Sequence, residues 1–145
     1  MDSPVVIVSA CLVGLRTRHD GKDALSEAAL SALKGSVIVP VCPEQLGGIS
    51  TPRPKAEIAE GDGRDVLSGS SRVMDENGRD VTANFIRGAE ETLSIARLTG
   101  ATAACLKERS PSCGVGSIKR DGVTVNGAGV TAALLEKNGV RVTGF

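Results

Sequence analysis

Short runs of β-branched residues alternate along this chain with segments whose apolar residues recur at helical spacing. Residues 4–10 form a Val and Ile run that ends in small residues, which fits a buried parallel strand feeding a loop. After a polar, glycine-punctuated stretch, Asp23 could cap a helix carrying Leu25, Ala28, Ala29, Ala32 and Leu33 on one face, stopped by Gly35. Residues 36–41 repeat the strand pattern. Residues 43–54, with prolines and an adjacent glycine pair, read as a constrained loop, and residues 61–78 as a polar excursion with a short strand near 71–74. The strongest helix follows a cap at Asp80 or Thr82 and places Phe85, Ile86, Ala89, Leu93 and Ala96 on one face before Gly100. A strand over 101–106, a Ser, Pro and Gly loop over 107–116, a helix from about 129 to 137 and a strand over 140–143 complete the pattern. Alternating strands and helices imply an α/β fold, a mostly parallel, Rossmann-like sheet flanked by helices, whose ligands collect at the carboxyl ends of the strands.

Composition narrows the partners. A chain of 145 residues is expected to form one domain over 1–145, long enough to close over a hydrophobic core. It has no Trp, no Tyr and two Phe, so the stacking platforms of single-strand nucleic-acid binders are missing. Seventeen basic residues balance 17 acidic ones without a long Lys or Arg run, which argues against polyanions and membranes as partners. The apolar stretch near the start follows Asp2 and Pro4 without a basic leader, and no segment reaches the roughly 18 to 20 apolar residues that span a bilayer. A cytoplasmic location is expected.

In a reducing compartment cysteines more often serve metals or catalysis than disulfides, so the four here invite a chemical reading. Cys11, Cys42 and Cys113 each stand just past a predicted strand, in loops that would open on one edge of the sheet. Cys105 lies inside an apolar strand pattern, where a thiol behaves as a small hydrophobe. Paired ligands at zinc spacing and a CxxC redox pair are both missing from the sequence. Three thiolates suit an iron-sulfur cluster with one iron open to an outside ligand and able to act as a Lewis acid. The competing readings are incidental cysteines, a structural zinc domain, and a cluster or sulfide carrier without turnover.

Several blocks carry a resemblance: Ser9-Ala10-Cys11-Leu12-Val13-Gly14, Arg18-His19-Asp20-Gly21, Pro40-Val41-Cys42-Pro43-Glu44-Gln45-Leu46-Gly47-Gly48 and Thr51-Pro52-Arg53-Pro54. Asp80-Val81-Thr82, Lys107-Glu108-Arg109-Ser110-Pro111-Ser112-Cys113-Gly114 and Gly127-Ala128-Gly129-Val130-Thr131-Ala132 continue it in order. The chain resembles the thiouracil desulfidase family, first catalogued as a domain of unknown function, number 523. The resemblance implies an oxygen-sensitive [4Fe-4S] cluster on Cys11, Cys42 and Cys113, whose free iron takes the sulfur of 2-thiouracil or a similar small thiolated molecule. The oxygenated base and sulfide are the implied products.

Around those cysteines Glu44 could act as general base or proton shuttle, or cap backbone N–H groups. Ser110 and Ser112 bracket Pro111 beside Cys113, and either hydroxyl could bind substrate or activate water; resemblance favours Ser110, which could also only shape the turn. Asp20 either orients substrate or makes an Asx turn. Arg53 and Lys107 could balance the charge of a thiolate-bound cluster or be solvated, and the turn at 127–131 could hold an anion on backbone N–H groups. Two departures from the family stand out: His19 occupies a position usually filled by Tyr, and residues 119–126 are shorter than usual and lack aromatics.

Overall fold

A computed structural model describes residues 3–145. The elements run β1 (Val5–Ser9), a 3-10 turn (Ala10–Val13), α1 (Glu27–Ala32), β2 (Val37–Val41), α2 (Pro43–Leu46), β3 (Ala56–Ile58), α3 (Gly63–Ser68) and β4 (Val73–Asp75). The second half adds α4 (Thr82–Thr99), β5 (Ala103–Leu106), β6 (Ser117–Arg120), β7 (Val123–Asn126), α5 (Val130–Lys137) and β8 (Arg141–Gly144). β2, β1, β5 and β8 pair in that order as an all-parallel sheet, as expected for the α/β class. β3–β4 and β6–β7 are separate antiparallel pairs.

The alternation of side chains along a strand divides the core between two faces. Ile7, Ala104 and Leu106 pack with Leu93 and Ala96 of α4 and with Ala132 and Leu135 of α5. Val6, Val8 and Cys105 point the other way, onto Leu12 of the 3-10 turn and onto Ala29 and Leu33 of α1 and its C-cap. Fully burying a Leu or Ile in these layers contributes about 1.5–3 kcal/mol. A third cluster, with Ile58, Val66, Val73, Phe85, Ala89, Ile118 and Val130, fastens both small antiparallel pairs and α3 to the outer side of α4 and α5.

Several local expectations need correction. The first helix starts at Glu27, because Ser26, whose Oγ accepts the Ala29 N–H at 3.1 Å, competes successfully with Asp23 for the cap. Asp23 makes a turn instead, accepting the Leu25 N–H at 3.0 Å, and Leu25 stays exposed. The loop over 43–54 begins with the single turn α2, with Pro43 at its first position. The polar excursion contains α3, which starts in a capping box between Asp62 and Asp65 and is anchored by the single buried apolar side chain of Val66. Neither Asp80 nor Thr82 is the N-cap of α4; Val81 is, while Asp80 accepts the Thr82 N–H at 2.9 Å and the Thr82 hydroxyl accepts that of Val73 at 2.9 Å.

Two glycines control how close α2 comes to α4. A Cβ at Gly47 would strike the Asn84 carbonyl, and one at Gly88 would strike the Pro43 carbonyl. Asn84 Nδ2 also donates to the Gly47 carbonyl at 2.9 Å. This contact fixes the segment that follows Cys42 against the longest helix.

Candidate active site

One cavity of about 680 Å³ opens over the carboxyl ends of β1, β2 and β5, and Cys11, Cys42 and Cys113 all line it. β1 and β5 are adjacent strands whose chains depart in opposite directions, to β2 and to β8, which is the arrangement that leaves a crevice at the sheet edge. Each cysteine arrives on its own limb. Cys11 lies in the 3-10 turn, where its carbonyl accepts the N–H groups of Gly14 at 3.2 Å and Ala24 at 2.9 Å. Cys42 is the N-cap of α2, and its Sγ lies 3.7 Å from the Thr17 carbonyl as a donor. Cys113 sits in a turn built by Ser110, whose Oγ accepts the N–H groups of Ser112 at 3.1 Å and Cys113 at 3.0 Å.

A low-polarity setting raises the affinity of all three thiols for their protons. Burial pushes Cys11 up to about 11; Lys107 draws it back, while Glu44 and Cys42 add to the rise. Cys42 is raised by burial and then by Glu44, with the Gln45 N–H and Arg53 acting against them. Cys113, 3% exposed, is raised by burial and by Glu44, with the Ser9 hydroxyl opposing. Cys105 packs on the opposite face of the sheet and does not line the cavity.

Glu44 lines the cavity and pairs with Arg53, Oε2 to Nη2, at 3.6 Å. Lys107 Nζ donates to the Glu108 carbonyl at 3.1 Å, and burial, followed by the charge of Arg109, holds its ammonium below the usual lysine range. Asp20 stands at the mouth, accepting the Lys22 N–H at 3.0 Å and facing Arg18 at 3.4 Å, so it makes the Asx turn and remains on the cavity wall. His19 lines the same wall, and burial lowers its proton affinity. Ser112 is not brought to the cavity: its Oγ is buried 2.8 Å from Thr131 Oγ1.

The turn at 127–131 has no free cradle for an anion. Gly129 donates to the Gly114 carbonyl at 2.7 Å, Val130 to Pro111 at 2.9 Å and Thr131 to Ser112 at 2.9 Å, so the start of α5 clamps the Cys113 turn instead. A Cβ at Gly129 would enter the Ser112 carbonyl group. Two supporting residues were not assigned from the sequence. Ser9 Oγ accepts the Lys107 N–H at 2.9 Å behind the thiols. Glu108 Oε1 accepts the N–H groups of Val115 at 2.8 Å, Gly116 at 3.1 Å and Ser117 at 3.2 Å, closing the loop that carries Cys113. A carboxylate ahead of a turn rich in Gly and Ser was the available signal for the second.

Zn–S bonds of about 2.3 Å would gather donors roughly 4 Å apart. Among the described residues, no group of three or more His, Cys, Asp or Glu side chains is arranged to hold a single metal ion. Three thiols lining one shared cavity are a donor set of the kind that holds iron-sulfur clusters, and Arg53 beside Cys42 and Lys107 near Cys11 are cations able to offset the negative charge of such a group.

Parallel-sheet architecture and a rim site built from dispersed thiols define a class of α/β proteins with a cysteine-lined crevice at the switch point of the sheet. The sequence matches the 2-thiouracil desulfurase family over residues 6–144, and the chain belongs to that family. YbbK of Bacillus subtilis (strain 168), an uncharacterized protein, is 45% identical over 141 residues, covering 95% of this chain and 93% of its own. The solved structure of a [4Fe-4S]-dependent thiouracil desulfidase, TudS, is 41% identical, with a TM-score of 0.82 over 97% of this chain and 90% of that one. No helix among the described residues is long and apolar enough to cross a membrane.

Proposed function

We propose that this chain is a [4Fe-4S]-dependent desulfidase that removes sulfur from 2-thiouracil or a related small thiolated molecule, with Cys11, Cys42 and Cys113 as the cluster ligands. The convergence of three thiols from separate limbs on one cavity, beside Glu44 and Ser110, carries the reading. The likeness to TudS supports it. Residues 1–145 act as one catalytic domain, in the cytoplasm, where thiols stay reduced.

Held by Cys11, Cys42 and Cys113, such a cluster would supply Lewis-acid activation of a thiocarbonyl sulfur. Overall, one water replaces sulfur by oxygen and releases hydrogen sulfide, so no net electron transfer is required. Glu44 takes the proton from the attacking water and returns it to the departing sulfur. Arg53, with Nη2 3.6 Å from Oε2, holds that carboxylate in place beside Cys42. The Ser110 Oγ already accepts two backbone N–H groups, which leaves its own proton to donate toward substrate. Asp20, at the mouth, contacts the part of the substrate away from the sulfur.

Anaerobically reconstituted protein should contain iron and acid-labile sulfide and release sulfide from 2-thiouracil over many turnovers, whereas Cys42→Ala should do neither. Stoichiometric release from the wild type would make it a carrier. Zinc without acid-labile sulfide would make it a structural zinc domain.

A further inference from the structure

The Arg53 guanidinium is an almost fully buried cation, its side chain 7% exposed, and burying such a charge is costly unless it is paired and hydrogen-bonded. Its contacts reach three limbs of the site. Nη1 donates to Thr51 Oγ1 at 2.8 Å and Nη2 to the Thr17 carbonyl at 2.9 Å. The same Nη2 lies 3.6 Å from Glu44 Oε2 and 4.0 Å from Cys42 Sγ. The Arg53 main-chain N–H donates to the His19 carbonyl at 2.9 Å, so backbone and side chain together tie the 51–54 loop to the 17–19 loop.

Thr17 is the pivot of this arrangement. Its carbonyl receives both the Arg53 Nη2 and the Cys42 thiol. Arg53 is the charged donor on that carbonyl and the cation beside the Cys42 sulfur. One planar fork therefore faces a carboxylate, a sulfur and a fixed carbonyl, a task to which a lysine ammonium, a point charge on a flexible stem, is poorly suited.

We propose that Arg53 is a positioning residue, which holds the Glu44 carboxylate at a set place relative to Cys42 and locks the Cys42 limb to the Thr17 carbonyl. The proposal rests on the desulfidase reading for its effect on turnover, and on geometry alone for its effect on the Cys42 limb.

The test uses the full chain as wild type, R53K, R53M, E44Q and R53M/E44Q, reconstituted anaerobically. Iron and acid-labile sulfide per chain, the rate of bleaching by EDTA, and kcat and KM for 2-thiouracil are measured. R53K is expected to keep its iron content yet lose about tenfold or more in kcat, with KM changed less than about twofold, as misplacement of a reacting group predicts. R53M should cost a similar factor alone but less than about twofold in the E44Q background, the signature of two residues acting as one unit. Both Arg53 variants should bleach about fivefold faster than wild type, because the limb that carries Cys42 is released. Losses that multiply in R53M/E44Q, or wild-type kcat in R53K, would overturn the proposal; if R53M does not fold, R53K decides alone. Should wild-type protein bind cluster yet release no sulfide from 2-thiouracil, the assigned reaction falls, and bleaching still decides the role of Arg53: equal rates in wild type and R53K would overturn it.

Discussion

At the scale of single residues the thiols are distinguished by how firmly the folded, metal-free protein holds their protons. Cys11 is raised from 9.0 to about 11, chiefly by burial. Below pH 9 folded and unfolded chains are both protonated there and no difference arises. As pH climbs from 9 toward 11, the unfolded chain releases the proton while the folded chain retains it, so folding is progressively disfavoured. The Tm of metal-free protein should therefore fall over that window, and Cys11→Ala should flatten the decline. Lys107, shifted downward, works in the opposite sense, and comparison of the two proteins isolates the cysteine. A decline of equal steepness in both would count against the buried-thiol account. Cluster uptake should also release protons near neutral pH.

The same scale shows what one dimension of sequence can carry. Cys11, Cys42 and Cys113 were legible as a set because each lies in a loop that leaves the carboxyl end of an apolar strand pattern, and Cys105 was legible as packing because it sits within one. The position of Ser112 was not legible, since two residues along a turn separate the Ser110 hydroxyl, which reaches backbone N–H groups at the cavity, from the Ser112 hydroxyl, buried on Thr131. The partners of Arg53 were equally hidden, lying as far as 36 positions away.

Among the elements, length decided what could be read. α4 spans 18 residues and repeats its buried positions from Phe85 to Ala96 at helical spacing, whereas α2 and α3 have four and six residues and no room for a period. Their stability comes from caps and close contacts, which depend on single residues. Gly88 is such a residue: a methyl group there would meet the Pro43 carbonyl, one residue beyond Cys42. Gly88→Ala should lower stability by about 1–3 kcal/mol through overpacking, measured by urea denaturation. Because α2 must move, the variant should also take up less iron than wild type on reconstitution. Full iron content in a destabilised variant would show that α2 can shift without disturbing the site.

For the whole molecule, the α/β class follows from alternation, but the strand order β2-β1-β5-β8 depends on long-range pairing that local pattern does not encode. That order gathers three limbs around one crevice, so a bound cluster would tie together regions far apart in the chain. A ligand present at about a thousand times its dissociation constant adds roughly 4 kcal/mol to folding, which for a chain of this size corresponds to about 10 °C in Tm. Reconstituted protein should melt higher than metal-free protein by about this amount, and Cys113→Ala should abolish the increment. An unchanged Tm would mean that the thiols are not joined through a common ligand.

The placement of β5 between β1 and β8 also has a bearing on biosynthesis. A nascent chain emerging from the ribosome with its first hundred residues exposes Cys11 and Cys42, but neither the strand that completes their crevice nor the third thiol. An inorganic centre held by all three thiols would consequently be inserted only after β5 and the Cys113 turn have emerged and closed the crevice.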